Sequence, residues 1–119
     1  MSKFKKTEEV IEEFKLNNMG RICETKDDEI MDINPQRIIA LNDNFDYEEI
    51  IEDYKMKHLK KSVEENGWQN KNIQTFNLLM LPNGDLLVNG AGNHRAVLSK
   101  ELGLTSIKAS VKKVVYKDI

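Results

Sequence analysis

Leu86-Leu87-Val88-Asn89-Gly90-Ala91-Gly92-Asn93-His94-Arg95-Ala96-Val97-Leu98-Ser99-Lys100-Glu101-Leu102-Gly103 is the stretch on which the reading of this 119-residue chain turns. An apolar run, a loop through Arg95 with two glycines in three positions, and a helix-like segment from Ala96 predict strand, glycine loop and helix. Leu98 and Leu102 would share one helix face, and Gly103 ends the helix. Beyond it Ile107, Ala109 and Val111 alternate with Lys108, Ser110 and Lys112, the pattern of a half-exposed strand that the tail from Val114 either extends or leaves frayed. Gly90 and Gly92 open backbone conformations closed to other residues and let the main chain approach a ligand. The helix after them turns its N–H groups and the positive end of its dipole toward the loop. An anion such as phosphate would be held there, with His94 and Arg95 placed to grip it. A purely structural turn is the alternative reading of the same glycines.

Upstream, the segment 73–81 and Leu86-Leu87-Val88 flank Pro82-Asn83-Gly84-Asp85, and Asn-Gly between two apolar runs signals a hairpin. The chain therefore enters the glycine loop from the second strand of that hairpin. Asp46 and Glu49 have capping-box spacing, so a helix is expected to start near Asp46. Met56, Leu59 and Val63 predict a helix over residues 55–66, separate from the first or continuous with it, up to Gly67. Lys57, Lys60, Lys61, Glu64 and Glu65 form its solvated face, and Trp68 is read as a core or lid contact. Pro35 biases Asn34 away from helix, so Ile38-Ile39-Ala40-Leu41 begins a new element, a strand or one helical turn.

Nearer the start, residues 1–6 read as a frayed basic end. Thr7 would cap a helix carrying Glu8 and Glu9 in its first turn and Val10, Ile11 and Phe14 on its apolar side, stopped before Gly20. Residues 21–25 and 29–33 would pair as two strands around Lys26-Asp27-Asp28.

Eighteen Lys and Arg against 20 Asp and Glu give a net charge of −2, which offers no global attraction to nucleic acid or an anionic membrane. The single Cys23 cannot form an internal disulfide and reads as a small half-buried side chain. With no apolar leader or span, the expected setting is cytoplasmic, without membrane association. Cys23, His58 and His94 lack metal-site spacing, no nucleophile elbow is present, and the loop is neither a Walker loop nor a dinucleotide fingerprint.

With Leu59-Lys60-Lys61-Ser62-Val63-Glu64-Glu65-Asn66-Gly67 and the hairpin, residues 86–111 resemble the ParB/sulfiredoxin superfamily. Its members run helix ending in glycine, strand, turn, strand, glycine loop with arginine, helix, and a leucine-glycine approach to the last strand. The resemblance covers about residues 29–115. Gly92-Asn93-His94-Arg95 is similar to the Gly-Cys-His-Arg signature of sulfiredoxins and to the Gly-x-His-Arg form of phosphotransfer members. The implied fold is α/β (α+β), a small mixed sheet with packed helices in a single domain over residues 29–119, preceded by an accessory helix and lead-in over residues 1–28.

The resemblance also implies nucleotide binding. Phosphates would be received by Gly90, Gly92, Asn93, His94 and Arg95, with Lys55, His58 and Ser62 at the positions where sulfiredoxins present lysine, serine and threonine. The ligand would be ATP or another nucleoside triphosphate, CTP included, accompanied by Mg²⁺. Asn93 stands where sulfiredoxins carry their reactive cysteine, and a carboxamide supplies no thiolate, so sulfinate reduction should be absent. The ParB loop Gly-Glu-Arg-Arg-x-Arg aligns with residues 90–95 but loses its acidic residue and two arginines, and a helix-turn-helix has no room here. Asp85 and Glu101, the carboxylates nearest the loop, read as a turn residue and an exposed helix residue rather than a general base. The expected activity is ATP hydrolysis or phosphoryl transfer. Two alternatives are a DNA-binding or nuclease-like module, opposed by the acidic balance, and a non-catalytic phage or mobile-element regulator that docks a protein partner through its first helix. The Lys-, Asn- and Ile-rich composition suits an AT-rich bacterial or phage genome.

Overall fold

Leu78-Leu79-Met80-Leu81 and Leu86-Leu87-Val88 are apolar without alternation because the strands they form are covered on both faces. The computed structural model describes residues 4–42 and 54–117. In chain order these form β1 (Lys5–Lys6), α1 (Thr7–Asn17), β2 (Cys23–Thr25), β3 (Glu29–Ile33), β4 (Ile38–Leu41), α2 (Tyr54–Asn66), β5 (Asn77–Met80), β6 (Leu86–Val88), α3 (Asn93–Glu101) and β7 (Ile107–Tyr116). Short 3₁₀ turns occupy Pro35–Arg37 and Ile73–Thr75. The seven strands make one mixed sheet in the order β1-β4-β6-β5-β7-β2, with β3 also on β7, so the described chain is of mixed α/β, α+β class. None of its helices is long and apolar enough to cross a membrane.

Parity along the strands decides which side chain faces which layer. Leu78, Leu86, Val88, Ile107, Ala109 and Val111 point to one face, where Met56 of α2 and Ala96, Val97 and Leu98 of α3 cover them. Leu79, Leu81, Leu87 and Val114 point to the other, where Val10, Ile11 and Phe14 of α1 pack. Ile39 and Ala40 both lie on the α1 side because the β4–β6 register shifts between Ile38 and Ala40. Val97 and Leu98, 0% and 2% exposed, each contribute roughly 1.5 to 3 kcal/mol through burial and fix α3 against the sheet. Leu102, one residue past the end of α3, donates its N–H to Leu98 O and lines the same depression as Leu98, but it stays exposed at 47%.

The hairpin forms as read. β5 and β6 pair antiparallel from Leu78–Val88 to Met80–Leu86, and β6 then lies parallel to β4. Ile38-Ile39-Ala40-Leu41 is a strand, and the side chain of Asn34 caps the turn before it by accepting from the Gln36 N–H at 2.9 Å. α2 stops at Gly67, whose φ of +74° suits the residue past a helix end. Trp68 packs against the core from its edge. β7 runs on to Tyr116, while residues 73–75 of the expected β5 segment curl into a 3₁₀ turn. The helix start expected near Asp46 lies outside the described residues.

Four local expectations are corrected. β2 and β3 do not form a hairpin with each other. Both pair antiparallel with β7, Cys23–Thr25 opposite Tyr116–Val114 and Glu29–Ile33 opposite Val111–Ile107. The register moves by one residue between them, so they are one edge broken by a bulge, and Lys26 N–H still donates to Lys113 O at 2.8 Å. A ten-residue β7 offers enough edge for both, which removes the need for a tight turn. Lys5 and Lys6 are not frayed, for they pair parallel with Ala40 and Leu41. Cys23 is exposed rather than half-buried.

Thr7 does not cap α1. Its buried hydroxyl donates to the carbonyl of Val88 at 2.7 Å, tying the helix start to the end of β6, and no side-chain bond caps the helix. Thr7→Val keeps the shape and leaves that carbonyl without its partner. Urea unfolding should register a loss of about 1 to 2 kcal/mol, the cost of a buried acceptor left unpaired.

Candidate functional site

The glycine loop is held on two sides before it enters α3. On one, Asn77 N–H donates to Ala91 O at 3.0 Å and Asn89 N–H donates to Asn77 O at 2.9 Å. On the other, Asn42 Nδ2 donates to Gly90 O at 2.8 Å. Gly90 and Gly92 have φ of +148° and +122°, which side chains rarely adopt. At Gly92 space excludes a side chain as well, and at Gly90 it is tight. A Cβ on Gly92 would sit 2.5 Å from Cδ1 of the buried Phe76 ring, and one on Gly90 would meet Asn77 at 3.2 Å.

Gly92 permits an earlier helix start than the sequence suggests. α3 begins at Asn93, not at Ala96, and its first internal bond runs from Ala96 N–H to Gly92 O at 2.9 Å. His94 and Arg95 thus belong to the first helical turn rather than to the loop. The main-chain N–H groups of Asn93 and Arg95 have no acceptor within the helix, and the positive dipole end lies here.

Asn93 itself is committed elsewhere. Only 8% exposed, its Oδ1 accepts from Asn42 N–H at 2.8 Å and its Nδ2 donates to Asn42 O at 3.0 Å. This carboxamide satisfies both main-chain groups of Asn42 at the end of β4 and locks α3 to that strand. The side chain is therefore a brace between α3 and β4.

Of the sequence-derived residues, Lys55, Gly90, Gly92, Asn93 and His94 surround one cavity of about 300 Å³, joined by Asn42 and Ala91, and among the described residues no carboxylate lines it. Ser62 and Arg95 lie in a neighbouring cleft of about 210 Å³ with Trp68 and Asn72. Arg95 donates from Nη1 to Asn72 O at 3.1 Å, and Asn72 holds a φ of +51°. Burial lowers the pKa of the Arg95 guanidinium below its ordinary value, yet it stays a cation at physiological pH. Lys100, farther along α3, is likewise lowered by burial and donates to Ile38 O at 2.7 Å. His58 lines neither depression, its ring standing edge-on to Tyr54 with centroids 4.4 Å apart.

Asp85 belongs to the hairpin turn, where its N–H donates to Asn83 Oδ1 and its carboxylate pairs with Arg37 at 3.3 Å. Glu101 is exposed at the far end of α3. Among the described residues no group of His, Cys, Asp and Glu gathers as a metal site. Sequence reasoning missed Asn42 and Asn77, the two clamps of the loop. Both act largely through main-chain groups 12 or more positions away from it, and neither sits in a motif. No protein-family model, curated protein or solved structure matches the chain.

Proposed function

We propose that the protein binds a nucleoside triphosphate at the glycine loop, as a stand-alone member of the ParB/sulfiredoxin superfamily. The observation that carries this reading is the cavity at the start of α3. In a chain of net charge −2 its described lining is a lysine, a histidine, asparagines and glycine-rich backbone, with no carboxylate among the described residues. The order α2, Gly67, β5, turn, β6, glycine loop, α3, Leu102-Gly103, β7 supports the kinship, since it follows the superfamily pattern element by element.

In this reading the loop backbone and the N–H groups at the start of α3 cradle phosphate, and Lys55 and His94 flank it. Arg95 and Ser62, in the neighbouring cleft, extend the site toward Trp68. Mg²⁺ would be carried by the triphosphate and water, because the described residues of the lining offer it no carboxylate. ATP hydrolysis or phosphoryl transfer is the chemistry proposed, CTP being the main rival ligand. Sulfinate reduction is not proposed, since Asn93 supplies no thiolate.

Titration calorimetry with ATP, CTP and GTP, each with and without Mg²⁺, tests the reading. Lys55 is exposed, so Lys55→Ala should leave folding intact and weaken the bound triphosphate roughly tenfold to a hundredfold through loss of a charge-assisted contact. The proposal fails if wild type binds none of the three, or if Lys55→Ala binds them as tightly as wild type.

A further inference from the structure

The sheet face opposite the candidate nucleotide site carries a second concavity. α1 covers only part of that face, and between its C-terminal half and β2 lies a groove of about 400 Å³. Leu79, Leu81 and Val114 from the sheet and Ile11 and Phe14 from α1 give it an apolar floor and wall. Two cationic side chains, Lys15 and Arg21, stand in its lining, and among the described residues no carboxylate does. The Arg21 guanidinium is stacked 3.6 Å from the centre of the Tyr116 ring, which fixes that charge beside the groove.

The apolar surface does not end at the rim. Leu16, Met19 and Ile22, on the last turn of α1 and the link to β2, are 69%, 77% and 61% exposed. Large apolar side chains clustered beside an apolar groove mark an interaction surface rather than scattered exposure. An unbranched, polarisable methionine at the rim adapts to a partner's shape.

We propose that this groove docks an acidic amphipathic segment of a partner protein, its apolar side chains entering between α1 and β2 and its carboxylates meeting Lys15 and Arg21. Charge complementarity selects that occupant. A single acyl chain would fill the groove but leave Leu16, Met19 and Ile22 uncovered.

The test is an NMR titration of the full chain with a synthetic 18-residue peptide carrying leucine at three- and four-residue spacing and glutamate elsewhere. Shifts are expected at Ile11, Phe14, Met19, Ile22 and Cys23, and the same peptide with lysine for glutamate should give none. Lys15→Glu should weaken binding several-fold and Met19→Glu should abolish it, both with native-like spectra, because both side chains are exposed. The proposal is overturned if the acidic peptide moves no groove resonance or if the lysine peptide moves them equally. It is also overturned if oleate perturbs them where the peptide does not, or if they broaden with protein concentration alone, which would assign the face to a second copy.

Discussion

Gly92→Ala is expected to cost roughly 2 to 5 kcal/mol of folding stability, the sum of backbone strain and overpacking. The φ of +122° is the first cost, since an alanine there leaves its favoured backbone regions. The second is the Phe76 ring, whose Cδ1 lies 2.5 Å from the new methyl and which, only 1% exposed, has nowhere to retreat. Moving the ring would disturb Phe76 O, which accepts from Ser110 N–H at 2.9 Å and joins the turn before β5 to β7. Urea unfolding should show the midpoint falling with little change in slope. In a double-mutant cycle, Phe76→Leu should recover the overpacking part and leave the strain. A Gly92→Ala protein within about 0.5 kcal/mol of wild type would contradict the tight seat described for the loop.

Asn93→Asp should be nearly as damaging, and its effect should depend on pH. The substitution keeps an acceptor for Asn42 N–H but sets an oxygen against Asn42 O, now 3.0 Å from a donor, and buries a charge. A loss of roughly 2 to 4 kcal/mol at neutral pH follows from a buried group facing a like partner. Burial and the facing carbonyl hold the new carboxyl's pKa above its unfolded value. The folded variant therefore binds the proton more tightly than the unfolded chain does, and its stability relative to wild type recovers as pH falls through that folded value. The protonated carboxyl donates to Asn42 O and restores the lost bond. Asn93→Ala, with no proton to take up, should show a deficit that does not change with pH. Unfolding curves at pH 5 and pH 8 would separate the two, and an Asn93→Asp deficit equal at both would refute the brace.

These two positions also show where a sequence can and cannot be read. Pro82-Asn83-Gly84-Asp85 announces its hairpin because the turn chemistry is local, and Gly67 ends α2 for the same reason. Alternation at Ile107, Ala109 and Val111 reports a strand without naming its neighbours. The partners of β2 and β3 were therefore not legible, since a short alternating run pairs with whichever edge tertiary packing brings alongside. Thr7 matches the preference for an N-cap, yet its acceptor lies 81 positions away and competes with the local bond. The glycine loop was legible as a tight main-chain turn, because both glycines hold positive φ. That Asn93 faces Asn42 was not, since a carboxamide that braces a strand and one that meets a phosphate look alike in one dimension.

β7 sets the timetable of folding. It pairs with residues 23–33 on one side and 77–80 on the other, so the edge and the centre of the sheet both wait for the same late segment. During synthesis β2 and β3 leave the ribosome some 80 positions ahead of their partner, and the apolar β5–β6 hairpin stands with one flank open until residues 107–116 emerge. Pairings so distant in sequence make for slow folding, on the order of milliseconds to seconds. For that interval the nascent chain presents unpaired, apolar β-structure, and its safe passage rests on speed of completion or on chaperone cover rather than on the stability of the finished sheet.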